Sequence, residues 1–128
     1  LLTGTFCHDL AKAKEYNLSS VGLVTDYSVR GQLLGHLYMG AAEIGNVCRD
    51  IGISEEKSML LQHMLLSHHG KPEFGAAVMP KTAEALLLSM IDDLDAKMET
   101  VREALDRQAS GMTEPVWTLG YRLYNHKG

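Results

Sequence analysis

Six residues constrain this chain more than any other feature: the adjacent pair His8-Asp9, then His36, then the adjacent pair His68-His69, then Asp92. They fall in separate segments that read as helices. A fold that uses them together must bundle those helices around one point. Neighbouring helical residues project about 100° apart, so His8 and Asp9 cannot share one flat ligand face. They can flank a pocket, with Asp9 reaching inward beside His8. Mixed imidazole and carboxylate donors suit a divalent Mn, Fe, Co, Ni or Zn ion.

Apolar spacing predicts how the rest of the chain is arranged. A first helix is expected from about Leu2 to Glu15, with Phe6, Leu10 and Ala13 on its apolar side. Residues 17–26 hold Ser19-Ser20, Gly22 and alternating Val21, Leu23 and Val24, which reads as a loop or short hairpin. Ser28 or Asp26 caps a long helix to about Asp50, with Leu33, Leu37, Ala41, Ile44 and Val47 at helical spacing and Gly52 beyond its end. Ser54 caps the next helix, which carries Glu55 and Glu56 in its first turn and stops at Gly70, after the histidine pair. A loop follows over residues 71–80. Thr82 opens a last helix to about Gln108, broken at Ser110-Gly111, and an extended or loosely helical tail holds Trp117, Tyr121 and Tyr124. The expected fold is all-α, a helical core over residues 1–108 with a tail over 109–128 packed on it.

A chain of 128 residues makes one domain with a sizeable core. A formal net charge of −4 argues against holding nucleic acid by bulk charge alone. Cys7 and Cys48 show no CxxC spacing and read as reduced, structural cysteines, which fits a cytoplasmic setting. No apolar run approaches the roughly 20 residues that span a bilayer, so no membrane association is expected. The start at Leu1-Leu2-Thr3, with neither Met nor a basic leader, points to a piece of a longer protein.

Four stretches carry a family resemblance. HDLAK resembles the HDxGK signature of the HD superfamily of metal-dependent phosphohydrolases. The order His8-Asp9, His36, His68-His69, Asp92 fits the pattern of its two-metal members. GQLLGHLYMGAAEIG, LQHMLLSHHGKPEFG and SMIDDLDAKM are similar to the HD domain of YhaM-type 3′–5′ exoribonucleases, also called CMP-binding factors. The resemblance covers nearly the whole chain.

It implies an HD-domain helical bundle and a set of roles. His8 and Asp9 would be metal ligands, with Asp9 bridging two metals. His36, His68 and His69 would serve the second metal, and Asp92 would close the first site. Two metals roughly 3.5–4 Å apart clamp a phosphodiester for in-line attack, and Mn is the metal the family implies. Asp9 and Lys12 would be catalytic, Lys12 facing the scissile phosphate, and Lys71 would touch the nucleic-acid backbone. The implied activity is hydrolysis of single-stranded RNA, with DNA as a second substrate. Two family features have no counterpart: a further His ligand on a helix upstream of the HD pair, and an N-terminal OB-type domain. The expectation is therefore an N-terminally truncated domain that exposes apolar surface and self-associates. Ala11 stands where the signature has Gly, a tolerable change in a helix.

Simpler readings stand beside these. An HD dipeptide alone is structural more often than catalytic. His63 reads as a ligand or, more simply, a supporting or core histidine. Asp95 orients a ligand or packs at a helix end, and His126 is a solvated tail residue. Met59, Met64, Met90 and Met98 are core filler. Phe74 either stacks on a base or packs its own loop. Arg102, Glu103, Asp106 and Arg107 form a solvated face. Two other functions fit: an HD hydrolase acting on a nucleotide or cyclic nucleotide, or a non-catalytic module that keeps its metal for stability. No GYP-type segment follows the histidine pair, which weighs against cyclic dinucleotides.

Overall fold

The computed structural model describes residues 1–126. It forms two compact units, Leu1–Met90 and Ile91–Gly128. The division falls inside a long helix, whereas the boundary expected at residue 108 marks that helix's end. Residues 127 and 128, the end of the expected tail, lie outside the described residues.

The first unit opens with two short helices, α1 (Leu2–Cys7) and α2 (Lys12–Glu15), instead of one helix to Glu15. Between them the chain turns through i to i+3 bonds: Leu10 to Cys7, Lys12 to Asp9 and Ala13 to Leu10. Tight turns of this kind commonly finish and connect helices. The expected apolar side is corrected as well. Phe6, Leu10 and Ala13 are exposed, and α1 turns Gly4 and Cys7 inward.

A hairpin follows, β1 (Tyr16–Leu18) against β2 (Val24–Tyr27), antiparallel with a bulge between Asn17 and Leu18. Tyr16 faces Tyr27, with ring centroids 4.8 Å apart. Helix α3 (Val29–Asp50) begins at Ser28, whose hydroxyl accepts the Gly31 N–H at 2.9 Å and donates to the Lys14 carbonyl at 2.8 Å. The cap therefore also ties α3 to α2. Gly31 allows the close approach, since a Cβ there would lie 2.2 Å from the Glu15 carbonyl oxygen. The expected continuous helix is kinked at Gly35, where φ is 67° and ψ is 157°.

Helix α4 (Glu55–Ser67) starts after Ser54, as expected, with Glu55 and Glu56 favoured by the helix dipole. The Ser54 hydroxyl itself makes no cap bond. A 3₁₀ turn (Pro72–Phe74) interrupts the loop, and α5 (Ala83–Asp106) begins where Thr82 Oγ1 accepts the Ala85 N–H at 3.1 Å. Ala41, Met64, Leu65, Ala85 and Leu88 form the core, with Cys7, Ile44 and Leu66 packed on it. Burying a side chain such as Leu65 contributes about 2 kcal/mol. Of the four methionines read as core, only Met64 is buried; Met59, Met90 and Met98 are on exposed faces.

In the second unit the tail takes the extended form of the two expected, folded back as a hairpin. Strand β3 (Gly111–Met112) pairs antiparallel with β4 (Tyr124–Asn125), and Val116 bridges Tyr121. Buried Asn125 donates through Nδ2 to the Leu105 and Gln108 carbonyls around the end of α5. Arg102 and Arg107 pair along α5 with Asp106 and Glu103, at 3.1 and 3.2 Å. Trp117, Tyr121, Tyr124 and His126 are exposed. No described helix is long and apolar enough to cross a membrane.

A candidate metal centre at two helix ends

Two of the expected ligands are placed by the same local device. His8 is the residue that follows α1, and His68 is the residue that follows α4; both keep helical backbone angles. A helix end leaves its last carbonyls without intrahelical partners. Each histidine turns its ring back onto one of them, His8 Nδ1 to Thr5 O and His68 Nδ1 to Leu65 O, both at 2.7 Å. A carbonyl only accepts, so each Nδ1 carries a hydrogen, and in the neutral ring this leaves the Nε2 lone pair for a metal.

His36 is placed differently. The kink at Gly35 takes the His36 N–H out of the helical ladder, and Glu15 Oε1 accepts it at 2.9 Å. The same carboxylate holds His36 Nδ1, with Oε1 at 3.1 Å and Oε2 at 3.0 Å. Glu15 is 5 % exposed and was not a sequence candidate. A backbone acceptor or carboxylate behind the imidazole is the usual support of a metal-binding histidine.

These rings converge on Asp9. Its Oδ1 lies 3.6 Å from His36 Nε2 and 3.7 Å from His68 Nε2, while Oδ2 lies 3.3 Å from His8 Nε2. His69 completes the group, with ring centroids 4.4 Å from His68 and 5.2 Å from His36. Two sets of donor atoms lie mutually within 4.8 Å: His8, Asp9 and His68, and His36, His68 and His69. Asp9 Oδ1 and His36 Nε2 are buried with no hydrogen-bond partner among the described residues. Buried polar atoms ordinarily find partners, so two acceptors facing each other are what a cation would satisfy. The donor set therefore fits a divalent metal.

The electrostatics agree. Burial pushes the Asp9 carboxyl up, but the Lys12 hydrogen bond and charge, with His8 and His68, outweigh it and hold its pKa below the ordinary value. Burial likewise opposes ionisation of Glu15, and its hydrogen bonds and charge interaction with His36, aided by Tyr16, bring it below the ordinary value. Both carboxylates are thus in the form a metal site needs.

Five expected ligands meet in the first unit: His8, Asp9, His36, His68 and His69. Asp92 is on α5 in the second unit. Lys12 donates to Asp9 Oδ2 at 2.8 Å, so it enters the site as a partner of the ligand rather than as a separate charge. Lys71 is exposed on the loop after the histidine pair. His63 lies away from the cluster, on the groove between α3 and α4, where its Nε2 accepts the Lys81 N–H at 2.9 Å. It holds the Lys81 main chain and is in neither donor set. Glu15 was missed because a lone Glu before a hairpin has no periodic or motif signal of burial.

Comparison with known proteins places the chain in a family. The HD domain family profile matches residues 1–97. The chain is 42% identical over 125 residues to the 3′–5′ exoribonuclease YhaM of Bacillus licheniformis, covering 97% of this chain and 39% of that protein. It is 41% identical over 125 residues to the YhaM of Bacillus subtilis, with the same coverage. For the YhaM of Halalkalibacterium halodurans the match is 41% over 111 residues, 87% of this chain and 34% of that protein. The chain thus spans about two-fifths of the length of the curated relatives it matches. No solved structure matches it.

Proposed function

Because the chain belongs to the HD-domain family, we propose that its His-Asp cluster is the catalytic centre of a metal-dependent phosphodiester hydrolase that shortens single-stranded RNA from the 3′ end. The observation that carries this reading is the pair of buried acceptors, Asp9 Oδ1 and His36 Nε2, set 3.6 Å apart among three further donors. His8, Asp9, His36, His68 and His69 would hold the metal, Mn by family resemblance, with Asp92 as a further ligand on the resemblance alone. A divalent cation supplies charge that polarises a phosphoryl oxygen and makes water a nucleophile near neutral pH.

The chain's own groups prepare that chemistry. Asp9 turns Oδ1 to His36 and His68 and Oδ2 to His8, so both oxygens would be available to hold metal. Lys12 neutralises Oδ2 at 2.8 Å and, with its side chain two-fifths exposed, keeps donors for a phosphate. Lys71 stands on the rim as a backbone contact. Cys7 and Cys48 are free thiols, and we place the protein in the cytoplasm, where they stay reduced. Exposed Leu2, Phe6, Val21, Val29 and Leu33 favour association of copies.

The test is a time course of 5′-labelled single-stranded RNA with Mn²⁺, run beside single-stranded DNA and mononucleotides. A ladder shortening from the 3′ end is expected, and Asp9→Ala should abolish it while helical content by circular dichroism stays unchanged. Turnover of mononucleotides with intact RNA would move the protein to nucleotide hydrolysis. Metal-dependent thermal stabilisation without any turnover would favour a non-catalytic metal module.

A further inference from the structure

We propose that Phe74 is a stacking platform for a nucleobase at the edge of the metal centre, with Lys71 beside it on the adjoining phosphate. This rests on the nucleic-acid reading above. The loop that carries them is built onto the histidine pair. The Lys71 N–H donates to the His69 carbonyl at 2.9 Å, and the Ala77 N–H donates to the Leu66 carbonyl at 3.0 Å, so both ends are pinned to the end of α4. Inside, the Phe74 N–H reaches Lys71 O at 2.9 Å, Gly75 reaches Pro72 O at 2.9 Å, and Ala76 reaches Lys71 O at 3.1 Å. Pro72 fixes its own φ at the start of the 3₁₀ turn.

A loop so closed has no need of an aromatic side chain to hold it, and it does not use one: Phe74 is 68 % exposed. The alternative, that Phe74 packs its loop, is thereby removed. The next residue places the loop against the site, because a Cβ at Gly75 would lie 3.4 Å from His69 Nδ1. An apolar ring exposed on a hydrogen-bonded loop beside His69, with exposed Lys71 three residues before it, matches the two surfaces of a nucleotide. Every base offers a π face, so such a platform binds nucleobases without reading sequence.

The experiment compares hydrolysis of oligouridylate with hydrolysis of a matching abasic oligomer, which keeps the phosphodiesters and lacks the bases. The wild type, Phe74→Ala, Phe74→Trp and Lys71→Ala are measured, each first checked for an unchanged melting temperature. Phe74→Ala should raise KM for oligouridylate about tenfold, with kcat little changed. Phe74→Trp should restore it, and neither should alter the abasic oligomer. Lys71→Ala should weaken both oligomers alike. Equal effects of Phe74→Ala on both oligomers, or none on either, would overturn the platform while the hydrolase reading stands. A wild type that cleaves neither oligomer would remove the nucleic-acid reading, and the platform with it.

Discussion

Glu15 shows how much of a candidate metal site is decided behind its donor residues. One buried carboxylate takes both the main-chain N–H and the ring Nδ1 of His36, 21 residues away. Removing it frees the imidazole to rotate and leaves a buried N–H without an acceptor. Glu15→Ala should weaken Mn²⁺ binding by about 10–100-fold in titration calorimetry, and Glu15→Gln, which keeps an acceptor, should lose less. Equal affinity in all three proteins would count against the role. The carboxylate also has a pH signature. Its folded pKa lies below its ordinary value, so its stabilisation is full above that ordinary value, roughly pH 4, and is lost as pH falls towards the folded one. In metal-free protein, melting temperature should therefore fall less steeply on acidification in Glu15→Gln than in the wild type. His8, Asp9, His36 and the His68-His69 pair were legible as candidate donors from residue type and order, and the fold brings them together. Glu15 was not, because its partner is distant in sequence.

At the scale of elements, the site depends on where helices stop. His8 and His68 are oriented by the open carbonyls of α1 and α4, and His36 by the kink in α3. Gly70 signals the stop of α4, but the other two breaks carry no strong local signal. FCHDLAKAK contains neither Gly nor Pro, and it reads as helix by propensity. The interactions that go with the break are the His8 ring on Thr5 O and Asp9 drawn towards His36, His68 and Lys12. Gly35 did stand in the text, but a Gly inside a helical pattern is usually tolerated without a bend. With φ at 67° and ψ at 157° the position suits glycine almost alone. Gly35→Ala should destabilise the protein by about 1–3 kcal/mol and weaken metal binding as well. Denaturant unfolding and calorimetry on one sample would check both, and an unchanged midpoint would mean that α3 straightens without cost.

For the whole molecule, the apolar surface left open is the main consequence. Leu2, Phe6, Val21, Val29 and Leu33 are each more than three-quarters exposed. Exposed apolar surface of this kind commonly marks a contact face. Apparent mass in sedimentation should rise with concentration, and a monomer at high concentration would show that this surface tolerates water. The amino-acid sequence by itself determined the helical class, the long helices that start near Ser28 and Thr82, and the His and Asp residues that could serve as metal donors. Those features follow from residue type and short-range spacing, which are local. Only the tertiary structure decided that the first helix breaks at its ligand pair, that α3 bends at Gly35, that Glu15 is buried and that Phe74 is not. Each of those outcomes balances a local preference against groups far away in the chain, and that balance exists only once the helices have packed.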